Sequence, residues 1–425
     1  MTDKTTRERD QRVRDFVLEG FDPRYGELSG SFPSHPVWRK LRELDTELWL
    51  DTGNIEDVKS LWTQEFTALT TNNTLLNKEV QTGSYDQLIG RANDLLAPYD
   101  LGEEDLILEI AFILNAYHAL RLVETFDAYV SVEEHTALAH DKARAIEYAH
   151  RYYRICPERF IVKIPFTPEG LLATRSVAAA GVPVNHTLGF SARQNYLITR
   201  IGRPTFVNVF LGRLNSFVAD NELGSGDHVG EKSVLASQRE VAQLRDESGV
   251  ITRQIGASFR SGEQVRDLEG LDVLTMPPKV AKAFLDLNLT PMQVTDRTMD
   301  TYRPGIRQDV DQQGYGLDTL WDVPEAFVSC VDGLAKQNLE GWSGPEVVEY
   351  FHQEGCADVF PRFTDDERRR SRREGKIPRL SNWKRELESG RVAVDSLMNL
   401  AGLNSFVADQ GAMDERIRSV LARES

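Results

Sequence analysis

The stretch FIVKIPFTPEGLLATRSVAAAGVPVNHTLGF (160–190) reads as strand, helix, strand. FIVKIP (160–165) and VPVNHTLGF (182–190) are short apolar runs, and TPEGLLATRSVAAA (167–180) between them is compatible with a helix. Short apolar strands alternating with helices argue for βαβ units and a parallel sheet. One residue of the first strand does not fit a plain core: Lys163, flanked by Phe160, Ile161, Val162 and Ile164. Its amine cannot easily reach water from a strand interior, and desolvation disfavours a charged ammonium. An amine held neutral is a nucleophile, and its usual task is a Schiff base with a carbonyl substrate. A strand-end lysine that escapes to solvent or pairs with a carboxylate is the plainer account of the same residue.

The alternation continues on both sides of this unit. The other strand-like runs are ELWLDTG (47–53), FTALTTN (66–72), FDAYVSVE (126–133), PTFVNVFLG (204–212), RQIGASF (253–259) and LDVLTMP (271–277), with helical segments such as KARAIEYAHRYYRI (142–155) between them. Eight such units over roughly 250 residues are the arithmetic of a closed (β/α)8 barrel. An open doubly wound sheet is the competing arrangement, but no Gly-rich GxGxxG turn follows the first strand. Three parts are expected: a polar N-terminal extension with a short helix (1–46), a catalytic barrel (47–290), and a helical C-terminal region (291–425) packing on or over the barrel. The helical stretches are 323–337, 344–355 and 390–422. The arginines of DDERRRSRREGK (365–376) read as a solvated helix face paired with neighbouring acids, a specific anion or partner site being the alternative. The heptapeptide LNSFVAD occurs at 214–220 and again at 403–409, too short a repeat to define a structural period.

Composition excludes several classes. The chain has 425 residues, 40% hydrophobic and 27% charged, which suits a globular protein. A net charge of −16 argues against bulk nucleic-acid binding or a polybasic membrane surface. Three cysteines (Cys156, Cys330, Cys356) without CxxC spacing give no disulfide framework or zinc site, and a cytoplasmic location is expected. The charged N-terminus does not read as a signal peptide. LILEIAFILNAYHALRLV (106–123) is interrupted by Glu109, Asn115, His118 and Arg121, and reads as a buried amphipathic helix instead of a membrane span.

Active sites of such barrels lie at the carboxyl ends of the strands, and residues two apart share a strand face. That rule gathers a polar set. Asp51 ends the first strand and Asn72 the second, beside Thr71. Glu133 ends the third on a face with Ser131, and Lys163 lies on the fourth. Asn185 and Thr187 lie on the fifth, while Asn208, Phe210 and Gly212 share a face of the sixth with Arg213 just beyond. Ser258 and Arg260 close the seventh. Each has a plainer role: Asp51 and Asn72 as turn or N-cap residues, Glu133 as a helix start, Thr187 as an ordinary strand residue, and the arginines as surface ion-pair partners. Together they describe a Schiff-base site with acid, base and anion clamp.

The motifs DTGN, ALTTNNTLL, VSVE, IVKIP, NHTLGFSARQ, FLGR and GASFRS stand in the order and spacing of those of the transaldolases, and over roughly residues 45–290 the chain resembles that family. The resemblance implies a (β/α)8 barrel of the class I aldolase type, needing no metal or organic cofactor. It implies transfer of a dihydroxyacetone unit from a ketose phosphate, of the sedoheptulose 7-phosphate or fructose 6-phosphate type, to an aldose phosphate in the pentose phosphate pathway. Lys163 then forms the Schiff base with the C2 carbonyl, and Asp51 takes the C4 hydroxyl proton. Glu133 and Thr187 handle a catalytic water, and Asn72 and Asn185 hold the dihydroxyacetone hydroxyls. Arg213, Arg260 and Ser258 bind the phosphate, and Asn208 and Phe210 complete the substrate wall. A C-terminal segment packing over the barrel mouth also follows from the resemblance.

The chain departs from the family pattern at several points. Asn73 replaces the usual proline after TTN, and Asn208 a usual serine. Phe166 follows the KIP strand where a small residue is common, and is expected to narrow the pocket. The segment DNELGSGDHVGE (220–231) and the final stretch are long. Phe210 favours transfer, since the related fructose-6-phosphate aldolases carry tyrosine there. A lyase releasing dihydroxyacetone, or a transferase for another sugar phosphate, is the near alternative. A non-catalytic sugar-phosphate-binding protein is the distant one, and loss of Lys163, Glu133 or Asp51 would have signalled it. Small sugar phosphates are the expected partners, with assembly into a homo-oligomer left open.

Overall fold

A computed structural model of the chain describes residues 3–22, 25–26 and 31–424. Eight strands close a barrel in sequence order: β1 (Glu47–Asp51), β2 (Phe66–Thr70), β3 (Tyr129–Glu133), β4 (Phe160–Pro165), β5 (Val184–Thr187), β6 (Phe206–Phe210), β7 (Arg253–Ala257) and β8 (Val273–Met276). Every neighbouring pair is parallel, including β8 against β1. Parallel neighbours need crossovers, so helices cover the outside while side chains fill the inside. The strands read as apolar runs for that reason; β4 and β6 are buried at every position.

β1, β2, β6 and β7 each end two residues before the sequence runs suggested. Helix caps explain part of the shortening. Asn72 (φ −156°, ψ 169°) caps the helix Asn73–Gln81, accepting from the Leu75 N–H at 2.9 Å. Thr167, Ser191 and Ser261 do the same for helices Pro168–Ala179, Ala192–Gly202 and Gly262–Arg266. A cap satisfies a backbone donor that the first turn leaves open, so these helices start at the barrel rim. After β6 the chain turns helical at once, over Leu211–Asp220. Gly212 therefore does not share a strand face with Asn208, and Arg213 projects from the first helical turn.

The N-terminal part holds more helix than its polar composition suggests. Asp3–Leu18 precedes the short helix Pro36–Glu43, with Val13 and Val17 buried four residues apart on one face. Among the described residues one helix, Glu103–Phe126, is long and apolar enough to cross a membrane, and most of it is buried inside the protein. Its polar residues have partners. Glu109 pairs with Arg151 at 2.6 Å, His118 Nδ1 lies 2.7 Å from the Tyr85 hydroxyl, and Arg121 donates to that hydroxyl at 3.0 Å. Asn115 Nδ2 donates to the Glu133 carbonyl at 2.6 Å.

Beyond the barrel lie helices Glu325–Ala335, Gly344–Gln353, Asp365–Glu374 and Leu380–Glu388, then a 31-residue C-terminal helix, Val394–Glu424. That last helix crosses the carboxyl-terminal rim and packs on helices Asn73–Gln81, Asp86–Leu96 and Glu103–Phe126. At its start, buried Asp395 accepts from Arg193 Nε (2.7 Å), Arg193 Nη2 (2.8 Å) and the Ser191 hydroxyl (2.7 Å). Asn399 Nδ2 donates to the Leu188 carbonyl at 3.1 Å, and the Thr74 hydroxyl donates to Asp409. Farther along, Arg416 pairs with Asp86 at 2.5 Å. Both LNSFVAD copies are helical, the second inside this helix. In the arginine run, Arg369 pairs with Asp366 and Arg370 lies over the Trp383 ring at 4.8 Å.

Candidate active site

The carboxyl ends of the strands open into a cavity of about 190 Å³. This is smaller than the roughly 300–1,000 Å³ typical of drug-sized ligands and suits a short polar chain. Nine of the expected residues line it: Asp51, Asn72, Lys163, Asn185, Asn208, Phe210, Arg213, Ser258 and Arg260. Glu133 and Thr187 are not on its wall. They are buried beside and beyond Lys163, because β3, β4 and β5 run in a register that pairs Glu133 with Lys163, Lys163 with Asn185, and Pro165 with Thr187.

Lys163 is enclosed along its strand but not isolated across the barrel. Its Nζ donates to the Thr71 carbonyl at 3.2 Å and lies 3.8 Å from Glu133 Oε2. The sequence exposes only neighbours along the strand; the carboxylate arrives from the adjacent one. Glu133 Oε2 also accepts from the Asn73 backbone N–H at 3.1 Å. That donor exists because residue 73 is not proline, which has no N–H.

Burial pushes the carboxyls of Asp51 and Glu133 above the ordinary carboxylate range. Lys163 opposes the shift at both, helped by the Thr70 hydroxyl at Asp51 (2.9 Å) and by the Asn73 N–H at Glu133. Raised carboxyls beside a lysine suit proton exchange. The Thr187 hydroxyl is fully buried and has no hydrogen-bond partner among the described residues. Such a group calls for a ligand or solvent partner.

Asn72 Oδ1 caps a helix, and the residue also lines the cavity. Asn208 Nδ2 donates to Asn185 Oδ1 at 3.1 Å, and Asn185 Nδ2 donates to the Ser131 hydroxyl at 3.1 Å. This chain of amides fixes the floor of the site.

The opposite wall is cationic. Arg213 is buried, lies over the rings of Phe210 (5.2 Å) and Phe406 (5.5 Å), and its Nη1 has no hydrogen-bond partner among the described residues. Burial, then repulsion from Arg260, bring its pKa down to about 10, so it stays charged at neutral pH. Gly212 lets the two arginine-bearing segments meet: a Cβ there would fall 2.1 Å from the Ser258 carbonyl oxygen. Ser258 itself adopts a left-handed φ of 67°, a costly conformation for serine and one found at ligand-binding turns. A buried guanidinium with an unused donor beside a second arginine can hold an anion such as a phosphate.

Two expectations are corrected. Phe166 does not narrow the cavity. Its ring stacks on Phe360 at 5.1 Å and meets His186 edge-on, outside the barrel. Its size is matched by an aromatic partner from the C-terminal region. Secondly, sequence reasoning missed part of the wall: Thr70, Thr74, Leu75, Thr275, Lys376 and Phe406. Thr70 shares the inward face of β2 with Ala68, and Thr275 that of β8, so the two-residue alternation could have found both. Lys376 and Phe406 lie far along the chain, and no local pattern links them to the barrel.

Comparison with known proteins gives the family. The profile described as Transaldolase/Fructose-6-phosphate aldolase matches residues 48–323. The transaldolase of Shewanella amazonensis (strain ATCC BAA-1098 / SB2B) is 27% identical over 288 residues, covering 65% of this chain and 89% of the relative. That of Xanthomonas euvesicatoria pv. vesicatoria (strain 85-10) is 29% identical over 305 residues, covering 66% and 92%. The transaldolase of Prochlorococcus marinus (strain MIT 9301) is 27% identical over 239 residues, covering 54% and 70%. The profile spans well over half of the chain and runs from within β1 past β8, so this protein belongs to the transaldolase/fructose-6-phosphate aldolase family and is a transferase-type enzyme of that kind.

Proposed function

We propose that the enzyme transfers a dihydroxyacetone unit between sugar phosphates in the cytoplasm, in the pentose phosphate pathway. The observation that carries this reading is Lys163 on a cavity wall, with Glu133 at 3.8 Å and a guanidinium pair across the same cavity. Lys163 Nζ attacks C2 of a ketose phosphate, of the fructose 6-phosphate or sedoheptulose 7-phosphate type. Glu133, working through water with Thr187, moves the protons that convert the carbinolamine to an iminium and expel water. Asp51 then takes the C4 hydroxyl proton. The C3–C4 bond breaks, its electron pair enters the iminium to give an enamine, and an aldose phosphate leaves. The reverse sequence on a second aldose phosphate completes the transfer, and hydrolysis restores the amine.

Arg213, Arg260 and Ser258 hold the phosphate, while Asn72 and Asn185 orient the hydroxyls of the three-carbon unit. Asn208 sets Asn185 by donating to its Oδ1. Phe210 supports transfer over release: its ring brings no hydroxyl to the cavity that could hold water against the enamine.

Borohydride reduction in the presence of fructose 6-phosphate, followed by peptide mass spectrometry, tests the reading. The expected adduct is on Lys163 alone and disappears in Lys163→Ala. Label on another lysine, or undiminished transfer in Lys163→Ala, overturns it.

A further inference from the structure

The phosphate-binding wall has a member from outside the barrel. Lys376 follows the helix Asp365–Glu374 and lines the same cavity as Arg213 and Arg260, although it lies more than fifty residues past the segment matched by the family profile. Its position is built. The helix ends at Gly375, whose φ of 76° and ψ of −141° belong to a region that is essentially reserved for glycine, and the chain reverses there. The Glu374 carboxylate then gathers the next turn, accepting from the Arg379 N–H (3.1 Å), Asn382 Nδ2 (2.6 Å) and Trp383 Nε1 (2.8 Å).

The loop is also tied to the barrel. The Asn221 side chain bridges it at two points, Nδ2 donating to the Pro378 carbonyl at 2.9 Å and Oδ1 accepting from the Leu380 N–H at 2.7 Å. Asn221 directly follows the helix Leu211–Asp220, which carries Arg213 in its first turn. The element that positions one cation of the wall therefore also anchors the loop that brings the other. The charged groups that act most strongly on Lys376 are Arg213, Arg260 and Lys78 and the carboxylate of Asp409, which is engaged by the Thr74 hydroxyl. That local excess of positive charge occurs in a chain with a net charge of −16. Partial desolvation, then repulsion from Arg213 and Arg260, hold the Lys376 ammonium below the ordinary lysine range. Cations gathered in this way lower one another's cost when an anion binds among them.

We propose that Lys376 is a third phosphate-binding residue, supplied by the C-terminal region to the Arg213–Arg260 clamp, and that it tunes affinity for phosphorylated substrates. The proposal rests on the phosphate reading of that wall. Binding of inorganic phosphate to the full chain, measured by titration calorimetry, reads it out independently of turnover. Lys376→Gln is expected to weaken phosphate binding by about threefold to tenfold, and Lys376→Arg to retain it. In transfer assays Lys376→Gln is expected to raise KM for fructose 6-phosphate by a similar factor, while free dihydroxyacetone, which carries no phosphate, still gives the borohydride adduct on Lys163. Phosphate affinity equal in Lys376→Gln and wild type overturns the role of Lys376 and leaves the proposed reaction intact. If wild type and Arg213→Ala both fail to bind phosphate, the clamp assignment falls together with this proposal. Loss of the dihydroxyacetone adduct in wild type would instead sink the Schiff-base reading.

Discussion

Asn73→Pro isolates one hydrogen bond on the proposed proton relay. The Asn73 N–H donates to Glu133 Oε2 at 3.1 Å, and proline removes that donor. The backbone tolerates the change: Asn73 opens the helix Asn73–Gln81, where proline's fixed φ fits, and Asn72 before it is extended, as a residue preceding proline prefers. A hydrogen bond to a charged group contributes about 1.5–3 kcal/mol and favours the ionised carboxylate. Glu133 is already pushed up by burial, with Lys163 and this N–H opposing, so removing the N–H pushes it further up. Glu133 must be ionised to accept a proton, so the acid limb of the kcat/KM profile moves to higher pH. The lower end of that energy range corresponds to about one pH unit, hence roughly a tenfold loss of rate below the limb. Asn73→Ala keeps the N–H and serves as control, with the profile expected in place. Steady-state assays across neutral pH and single-turnover imine trapping measure both. A folded Asn73→Pro protein with the wild-type profile would refute the assignment of Glu133.

Arg213→Ala is expected to raise KM for phosphorylated donors by roughly tenfold to a hundredfold, from a charge-assisted pair contributing about 1.5–3 kcal/mol, while hardly affecting free dihydroxyacetone. Equal losses with both donors would make Arg213 structural. Asp395→Ala leaves the buried Arg193 guanidinium with Asp358, at 2.7 Å, as its remaining carboxylate partner among the described residues. Breaking a buried pair in this way costs about 3–5 kcal/mol, so chemical denaturation should show a loss of that order, and a change within error would refute the anchoring role of the pair. Glu134 is buried, its carboxylate oxygens lack hydrogen-bond partners among the described residues, and burial pushes its pKa well up. Its contribution to stability is complete below the unfolded-state pKa and is lost as pH rises towards the folded value. Glu134→Gln should therefore melt increasingly above wild type as pH rises past the ordinary carboxylate range, and with no difference below it. A pH-independent offset would contradict this.

The order of apolar strands and helices was legible because a parallel barrel buries both faces of each strand, which leaves runs such as FIVKIP in the sequence. The inward positions were legible too, since alternation along a strand is a local rule; it led to Asp51, Lys163, Asn185 and Asn208 on the cavity wall. Helix caps were harder to assign, since Asn72 serves the helix and the cavity at once. Tertiary structure alone decided contacts between distant segments. Glu133 reaches Lys163 through strand register, Phe166 turns away to stack on Phe360, and Phe406 and Lys376 arrive at the cavity from the C-terminal region. Periodicity and propensity are properties of neighbours along the chain. The partner that a buried charge or ring finds depends on how loops and helices close hundreds of residues apart, and no local pattern encodes that closure.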